Sequence, residues 1–341
     1  MGEIDQRIRE SIRLDGYTNM NFMPWMYLLN TISISGIGID LAKNLSAKGW
    51  KVACVGRRHE AGEALLKDLP QDRARFFAAD VSNYEEYARV FSKAHQLWGR
   101  IDALCANAGI VDMSSIYIYD SKNNSVDNIP PAPDLSVVDI NYKGIVYGTQ
   151  LATHFMRHNP QPGGRIVVTG SIGGIFPHKS YPVYCGSKAA VNHFIRGVAP
   201  LLKQKENIFI NCVMPGIVST PIVPPEMIRA VTPECLTPVQ TILKGYETFL
   251  EDSTDMAGEL LECSADKLIY YQMPKPGNGH ITKRAVTCLT AYFYHRLLEV
   301  RSCFLDVLLR VFLIVFLVVF LDVSLYLGII RHHLGSILLL T

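Results

Sequence analysis

The sequence predicts an α/β fold in which helices cover both faces of a parallel sheet of about seven strands. Short β-rich runs alternate with helix-forming stretches at close spacing along most of the chain, as in successive βαβ units. Because crossovers in such units are right-handed, we expect a doubly wound sheet. Polar or glycine-containing turns follow several runs, and ligands bind such sheets beyond the carboxyl ends of the strands.

Local composition predicts the individual elements. Strands are expected at residues 25–30, 51–55, 74–79, 101–106, 165–169, 207–214 and 258–263, with residues 268–272 as a candidate extension of the sheet edge. Helices are expected after residue 38, over residues 83–98, from Asp134 to residue 158, and after Tyr184. Residues 111–133 are rich in Ser, Asn, Asp and Pro and are expected to form a loop.

The composition limits the classes of protein to which the chain can belong. The chain has 341 residues, of which 49% are apolar and 19% charged, enough for a large core. A net charge of +2 without basic runs gives no indication of nucleic-acid binding. Eight scattered cysteines lack metal-ligand spacing, so we expect reduced thiols and no metal. The charged N-terminus lacks a secretory apolar segment, which favours a cytoplasmic catalytic domain.

The chemistry is concentrated between residues 170 and 188. Ser171 lies thirteen residues before Tyr184, and Lys188 follows four residues after it, on the same face of a helix. A nearby cation lowers the pKa of a phenol, which lets it exchange a proton with an alcohol or carbonyl oxygen. Ser171 can donate a hydrogen bond to the same oxygen. Alone, this spacing more often means a half-exposed Tyr beside a solvated Lys, but the flanking strand and helix favour catalysis.

Together with the turns 31–38, 107–109 and 215–216, this stretch resembles the classical short-chain dehydrogenase/reductases, and among them the hydroxyprostaglandin-dehydrogenase-like members. The resemblance covers about residues 31–273. It implies a Rossmann-type, NAD(P)-dependent enzyme that interconverts a secondary alcohol and a ketone, and a homo-oligomer.

The resemblance also implies catalytic roles for four residues. Tyr184 gives or takes the proton at the substrate oxygen, and Ser171 steadies that oxygen. Lys188 tunes Tyr184 and holds the cofactor ribose. Asn141 holds a water of a proton relay, although the residue by itself more often is a polar residue inside a helix that makes a local bond.

The phosphate loop departs from the family pattern. Gly36 and Gly38 match its last two glycines, but Ile32 stands where the first is usual. A β-branched residue is costly wherever a positive φ or a close backbone approach is needed. The alternative to an enzyme is therefore a non-catalytic, membrane-tethered Rossmann protein with impaired nucleotide binding.

The residues at the end of the second predicted strand favour NADP over NAD as the cofactor. Gly56 stands where an acidic residue would accept the ribose hydroxyls of NAD. Arg57 follows, and a guanidinium suits a 2′-phosphate, although two arginines at a strand end are also compatible with simple solvation. The resemblance implies that Asp80 contacts the adenine. The alternative is that Asp80 caps the following helix, a role that Ser82 or Asn83 could serve equally well.

The resemblance implies the full set of cofactor-binding residues. They are Gly36, Ile37, Gly38, Arg57, Asp80, Val81, Asn107, Ala108, Gly109, Tyr184, Lys188, Pro215, Gly216, Val218 and Thr220. Residues 221–257 correspond to the variable substrate loop and are partly apolar, which favours an uncharged, moderately apolar alcohol or ketone.

The chain divides into a leader of unknown role at residues 1–24, a catalytic domain at 25–282 and an apolar tail at 283–341. Residues 311–330 contain sixteen Ile, Leu, Val or Phe in twenty positions, interrupted by Asp322. At ~0.4 kcal/mol per apolar residue these favour insertion by about 6 kcal/mol, against about 3 kcal/mol for the Asp. We expect a transmembrane helix; the alternatives are an oligomer-interface helix and a mis-assigned gene end.

Overall fold

The computed structural model describes residues 27–31 and 36–286. Contacts divide the chain after Gln272 into two units. The described part of the second unit, residues 273–286, includes a helix at 279–286. The first unit holds the sheet and the candidate site.

A single eight-stranded sheet forms the centre of the first unit, in the order β3-β2-β1-β4-β5-β6-β7-β8. The strands are β1 Tyr27–Thr31, β2 Lys51–Gly56, β3 Ala74–Ala78, β4 Ala103–Ala106, β5 Gly164–Thr169, β6 Ile208–Pro215, β7 Leu260–Ser264 and β8 Lys267–Tyr270. Strands β1 to β7 are parallel, as predicted for a doubly wound sheet.

The candidate extension of the sheet edge at residues 268–272 is present as β8, so the sheet has eight strands rather than about seven. Strand β8 pairs antiparallel with β7 through a tight turn, with Ser264 opposite Lys267. In this turn Ala265 adopts a φ of +47°, a conformation that alanine rarely adopts. Turns of this kind usually contain Gly or Asn, so the sequence carried no hairpin signal here.

Helices pack on both faces of the sheet. They are α1 Ile37–Ala47, α2 His59–Lys67, α3 Tyr84–Trp98, α4 at residues 136–156, α5 Pro182–Glu206, α6 Pro225–Ala230 and α7 Val239–Leu250. On β5, Ile166 and Val168 join the core beneath α3, α4 and α5, whereas Val167 joins the core beneath α1 and α7. Each fully buried side chain of this size contributes about 1.5–3 kcal/mol, so both faces stabilise the sheet.

Helix α4 contains a π-helical segment at Asp139–Lys143, between α-helical residues Ser136–Val138 and Gly144–Met156. Its start agrees with the expected helix, because the Asp134 carboxylate accepts a hydrogen bond of 2.8 Å from the Ser136 amide. Single π-helical turns are rare and frequently lie at functional sites.

Among residues 27–31 and 36–286, no helix is long and apolar enough to cross a membrane. Ile32, the leader at 1–24 and the apolar stretch at 311–330 all lie outside the described residues, so the expectations about them stay predictions. Within the described part of the chain, six cysteines are free thiols and no group of three or more metal-ligating residues is found.

Candidate active site

The structure brings Ser171, Tyr184 and Lys188 together beyond the carboxyl end of β5. Ser171 follows that strand directly, and its hydroxyl accepts a hydrogen bond of 3.0 Å from the Gly173 amide. A Cβ on Gly173 would lie 3.3 Å from the Ser171 hydroxyl oxygen and 3.4 Å from the Tyr184 ring, so these two side chains are neighbours. The Lys188 ammonium lies 5.8 Å from the centre of the Tyr184 ring. The three side chains therefore lie close together, as the sequence spacing predicted.

Lys188 is almost fully buried, with 4% of its surface exposed. Its ammonium donates a hydrogen bond of 2.7 Å to the backbone carbonyl of Thr169. Burial disfavours the charged form and lowers the pKa of Lys188 to about 8. The site thus holds a cation that titrates much closer to neutrality than an exposed lysine.

The expected effect of Lys188 on the phenol does not appear in this structure. Loss of solvation raises the pKa of Tyr184, and the hydrogen bond with Ser171 only partly counters this shift. The expectation of a lowered pKa was wrong here because the ammonium is bound to a carbonyl while the phenol has lost much of its solvent. A phenol in this state is protonated at neutral pH and can donate its proton to a carbonyl oxygen.

Asn141 lies in the π-helical segment of α4 and is fully buried. Its amide donates to the Ile110 carbonyl at 2.9 Å and the Ser187 hydroxyl at 3.1 Å, and its oxygen accepts from the Ile110 amide at 2.9 Å. A Cβ on Gly109 would lie 3.3 Å from the Asn141 oxygen and 3.6 Å from the Lys188 nitrogen. Asn141 thereby joins the turn after β4 to α5.

On the cofactor side, Gly36 precedes α1 with a φ of +72° and no side-chain cap. A Cβ at Gly36 would lie 2.8 Å from the Thr220 methyl group, so both its conformation and the available space require glycine. The helix dipole at the start of α1 favours an anion there. These residues fit a cofactor phosphate, with Ile37 and the buried Gly38 continuing the first turn.

Arg57 and Asp80 lie together at the carboxyl ends of β2 and β3. An Arg57 guanidinium nitrogen is 3.8 Å from an Asp80 carboxylate oxygen, and the Arg57 side chain is 62% exposed. Asp80 accepts hydrogen bonds from the amide and hydroxyl of Ser82. The cap of α3 is Asn83, so Asp80 is not needed for that role. The adjacent Val81 is buried against Gly144.

The turn after β6 packs tightly. A Cβ on Gly216 would lie 2.7 Å from the Thr237 hydroxyl, and Val218 is 5% exposed. The Thr237 amide donates to the Ile217 carbonyl at 2.7 Å, which closes the loop at residues 217–237. Pro215 ends β6, and Thr220 lies beside Gly36 at the start of α1.

A buried hydroxyl network behind the site was not predicted. The Thr169 hydroxyl donates to the Asn107 side-chain oxygen at 2.9 Å and also bonds the Tyr246 hydroxyl. Burial raises the pKa of Tyr246 well above its ordinary value. Sequence reasoning assigned residue 246 to the variable substrate loop, whereas it lies on α7 and faces the sheet; the apolar spacing of α7 was the signal that could have placed it.

Asp112 is a second residue that sequence reasoning missed. Its carboxylate oxygens accept hydrogen bonds from the backbone amides of Tyr184 at 2.5 Å and Val183 at 3.1 Å. It belongs to the segment predicted as an irregular loop, where nothing in the sequence distinguishes it from the other polar residues.

The fold and this constellation of residues agree with comparisons to known proteins. A family model described as short chain dehydrogenase matches residues 29–227, more than half of the chain. The chain belongs to the short-chain dehydrogenase family. The resemblance found in the sequence is thereby confirmed at the level of the family.

Individual relatives agree with this placement. The chain is 89% identical over 253 residues to the short-chain dehydrogenase/reductase prx6 of Penicillium rubens, covering 74% of this chain and 85% of that protein. It is 35% identical over 191 residues to prx7 of the same fungus, covering 55% and 67%. A solved short-chain type dehydrogenase/reductase from Mycobacterium marinum shares the fold, with a TM-score of 0.62 and 23% identity over 70% of this chain and 94% of that chain.

Proposed function

We propose that this protein is an NAD(P)-dependent oxidoreductase that interconverts a secondary alcohol and a ketone. The observation that carries the proposal is the convergence of Ser171, Tyr184 and Lys188 at the carboxyl edge of the sheet. Family membership supports the oxidoreductase class. Finer placement among the hydroxyprostaglandin-dehydrogenase-like members is part of the proposal.

In the direction of reduction, the protonated Tyr184 gives its proton to the carbonyl oxygen of the substrate. Ser171 accepts from the Gly173 amide, so its own hydroxyl proton is available to steady the same oxygen. Lys188, fixed by the Thr169 carbonyl, stabilises the phenolate that remains. Asn141 fixes the turn beside Lys188 and is proposed to maintain the path by which the proton is replaced.

The cofactor supplies the hydride when it is bound. Gly36, Ile37 and Gly38 would hold its phosphates at the start of α1. Arg57 would bind a 2′-phosphate, which favours NADP over NAD because Gly56 offers no carboxylate to ribose hydroxyls. The remaining predicted cofactor contacts are Asp80, Val81, Asn107, Ala108, Gly109, Pro215, Gly216, Val218 and Thr220.

The substrate is proposed to be uncharged and moderately apolar, since the loop between β6 and α7 exposes part of Ile222 beside polar residues.

The protein is proposed to form a homo-oligomer, to be tested by light scattering after gel filtration. If residues 311–330 anchor it, the full chain pellets with membranes and resists salt and carbonate; quantitative recovery in the soluble fraction would contradict an anchor.

The test of function has two stages. NADPH and NADH are first titrated against the protein by fluorescence, and a panel of ketones and secondary alcohols is then assayed with the cofactor that binds. We expect binding of NADPH and turnover of apolar ketones or alcohols. Absence of binding by either cofactor would favour the non-catalytic alternative, and turnover of only charged acids or sugars would refute the substrate class.

A further inference from the structure

The helix that carries Tyr184 and Lys188 is capped by a distant residue. The cap position of α5 is Tyr181, whose side chain makes no capping hydrogen bond, and Pro182 follows without an N–H. The next two amides, of Val183 and Tyr184, both donate to Asp112. A helix cap normally comes from the residue at the cap position itself, so this arrangement is unusual.

Asp112 ends a segment that is fixed at three points, which we call the 107–112 strap. At its start, Asn107 accepts from Thr169 of β5. In its middle, both backbone polar groups of Ile110 bond Asn141 of α4. At its end, Asp112 bonds the first turn of α5. The strap thus connects the predicted cofactor turn to the three elements that carry the catalytic side chains.

We infer that Asp112 is a positioning residue for Tyr184, which it holds through the backbone amide of Tyr184 itself so that the phenol faces Ser171. The inference rests on the proposed function for its catalytic consequence. A carboxylate at a helix N-terminus is also favoured by the helix dipole, so the contact is suited to hold this turn. Asp112 acts through Tyr184 and is not expected to touch the substrate.

The decisive variants are Asp112→Ala, which removes both acceptors, and Asp112→Asn, which keeps one side-chain oxygen. The matched control is Glu206→Ala, because Glu206 accepts two hydrogen bonds from Arg157 at the other end of the same helix. Glu206 lies twenty-two residues beyond Tyr184, about 33 Å along a helix at 1.5 Å per residue. Both changes delete a carboxylate from α5, but only one is near the phenol.

Steady-state kinetics of the full chain with NADPH and the best ketone of the panel give the first readout. We expect Asp112→Ala to lower kcat about tenfold, because the loss of a helix cap produces an effect of about this size. The ketone KM is expected to change less than about twofold, because Asp112 bonds the backbone amides of Val183 and Tyr184 and not the side chains proposed to meet the substrate. Asp112→Asn is expected to recover part of kcat, and Glu206→Ala to keep it.

The pH profile separates positioning from a structural role. Burial raises the pKa of Tyr184 and the contact with Ser171 lowers it, so a displaced phenol changes both effects. The alkaline limb of kcat should therefore shift in the Asp112→Ala variant and stay in place in Glu206→Ala. An unchanged kcat, or equal losses in Asp112→Ala and Glu206→Ala, would overturn the inference.

Amide hydrogen exchange tests the same inference without turnover, so a failed enzyme assay cannot obscure it. We expect Asp112→Ala to speed exchange about fivefold to tenfold at residues 107–112 and 171–174 as well as at the start of α5. Glu206→Ala is expected to act only at the end of α5. Unchanged protection in both distant segments would overturn the inference, whereas an inactive wild-type protein with the expected exchange pattern would count only against the proposed function. If Asp112→Ala does not fold, Asp112→Asn supplies both readouts.

Discussion

The ammonium of Lys188 donates a hydrogen bond of 2.7 Å to the backbone carbonyl of Thr169, the last residue of β5. This contact fixes a buried cation at the strand end from which Ser171 emerges. Because the Thr169 hydroxyl bonds Asn107 and Tyr246, the same residue joins the catalytic lysine to the strand β4 turn and to α7. The contacts of Thr169 therefore connect the site to the sheet.

The buried lysine predicts a pH dependence of stability. The pKa of Lys188 falls from 10.5 in the unfolded chain to about 8 in the folded protein, so the unfolded chain binds more protons between these values. The contribution of Lys188 to the free energy of unfolding should then rise with pH across that window, by at most about 1.4 kcal/mol per unit. Well below pH 8 this contribution is constant.

Urea unfolding at pH 7, 8 and 9 measures this effect, with Lys188→Met as the matched variant. The wild-type protein should gain more stability relative to the variant between pH 8 and 9 than between pH 7 and 8. Equal pH dependence of the two proteins would show that Lys188 titrates normally. The variant serves as reference because the raised pKa values of four buried cysteines and of Tyr184 act in the opposite direction in both proteins.

Removal of the Tyr246 hydroxyl is expected to lower stability. Tyr246 is fully buried, and its hydroxyl bonds that of Thr169. Tyr246→Phe should cost about 1 kcal/mol, the net worth of one buried hydrogen bond. Thermal and urea unfolding measure the loss, with Tyr270→Phe as control, since Tyr270 is 40% exposed. A loss no larger than that of the control would show that the network contributes nothing to stability.

Gly36→Ala is expected to weaken cofactor binding specifically. The substitution strains a φ of +72° and brings a methyl group within 2.8 Å of Thr220. Gly49→Ala is the control, because Gly49 has a φ of +97° with nothing within 4 Å of its added Cβ. Both variants should lose about 1 kcal/mol of stability from the backbone alone. Only Gly36→Ala should raise the Kd for NADPH, by about tenfold or more. Similar Kd values in the two variants would show that the first turn of α1 does not bind the cofactor.

Arg57→Ala is expected to reduce the preference for NADPH over NADH. A guanidinium can form a bidentate, charge-assisted contact with a 2′-phosphate, a contact worth about tenfold or more in Kd. Binding of NADH, which lacks that phosphate, should change little. Arg58→Ala is the neighbouring control. Equal losses of affinity for NADPH and NADH in Arg57→Ala would indicate a general electrostatic effect. Unchanged affinities would show that Arg57 contacts only solvent and Asp80.

The sequence predicted the strands, their parallel arrangement and the Ser171, Tyr184 and Lys188 cluster, because alternation and i, i+4 spacing are local properties. It did not reveal Asp112 and Tyr246, since their partners Tyr184 and Thr169 lie more than seventy residues away along the chain. The direction of the Tyr184 pKa shift was also missed. That direction depends on how much solvent the folded site excludes, which residue spacing does not report.

The central claim is that Tyr184 transfers the proton within a pocket built by Ser171 and Lys188. The most direct measurement is kcat of Tyr184→Phe with the preferred cofactor and ketone, alongside its unfolding midpoint and NADPH Kd. We predict a loss of kcat of about 10²–10⁴-fold, the usual contribution of general acid catalysis, with folding retained and the NADPH Kd changed far less than kcat. A folded Tyr184→Phe protein that binds NADPH and turns over ketone at the wild-type rate would contradict the account.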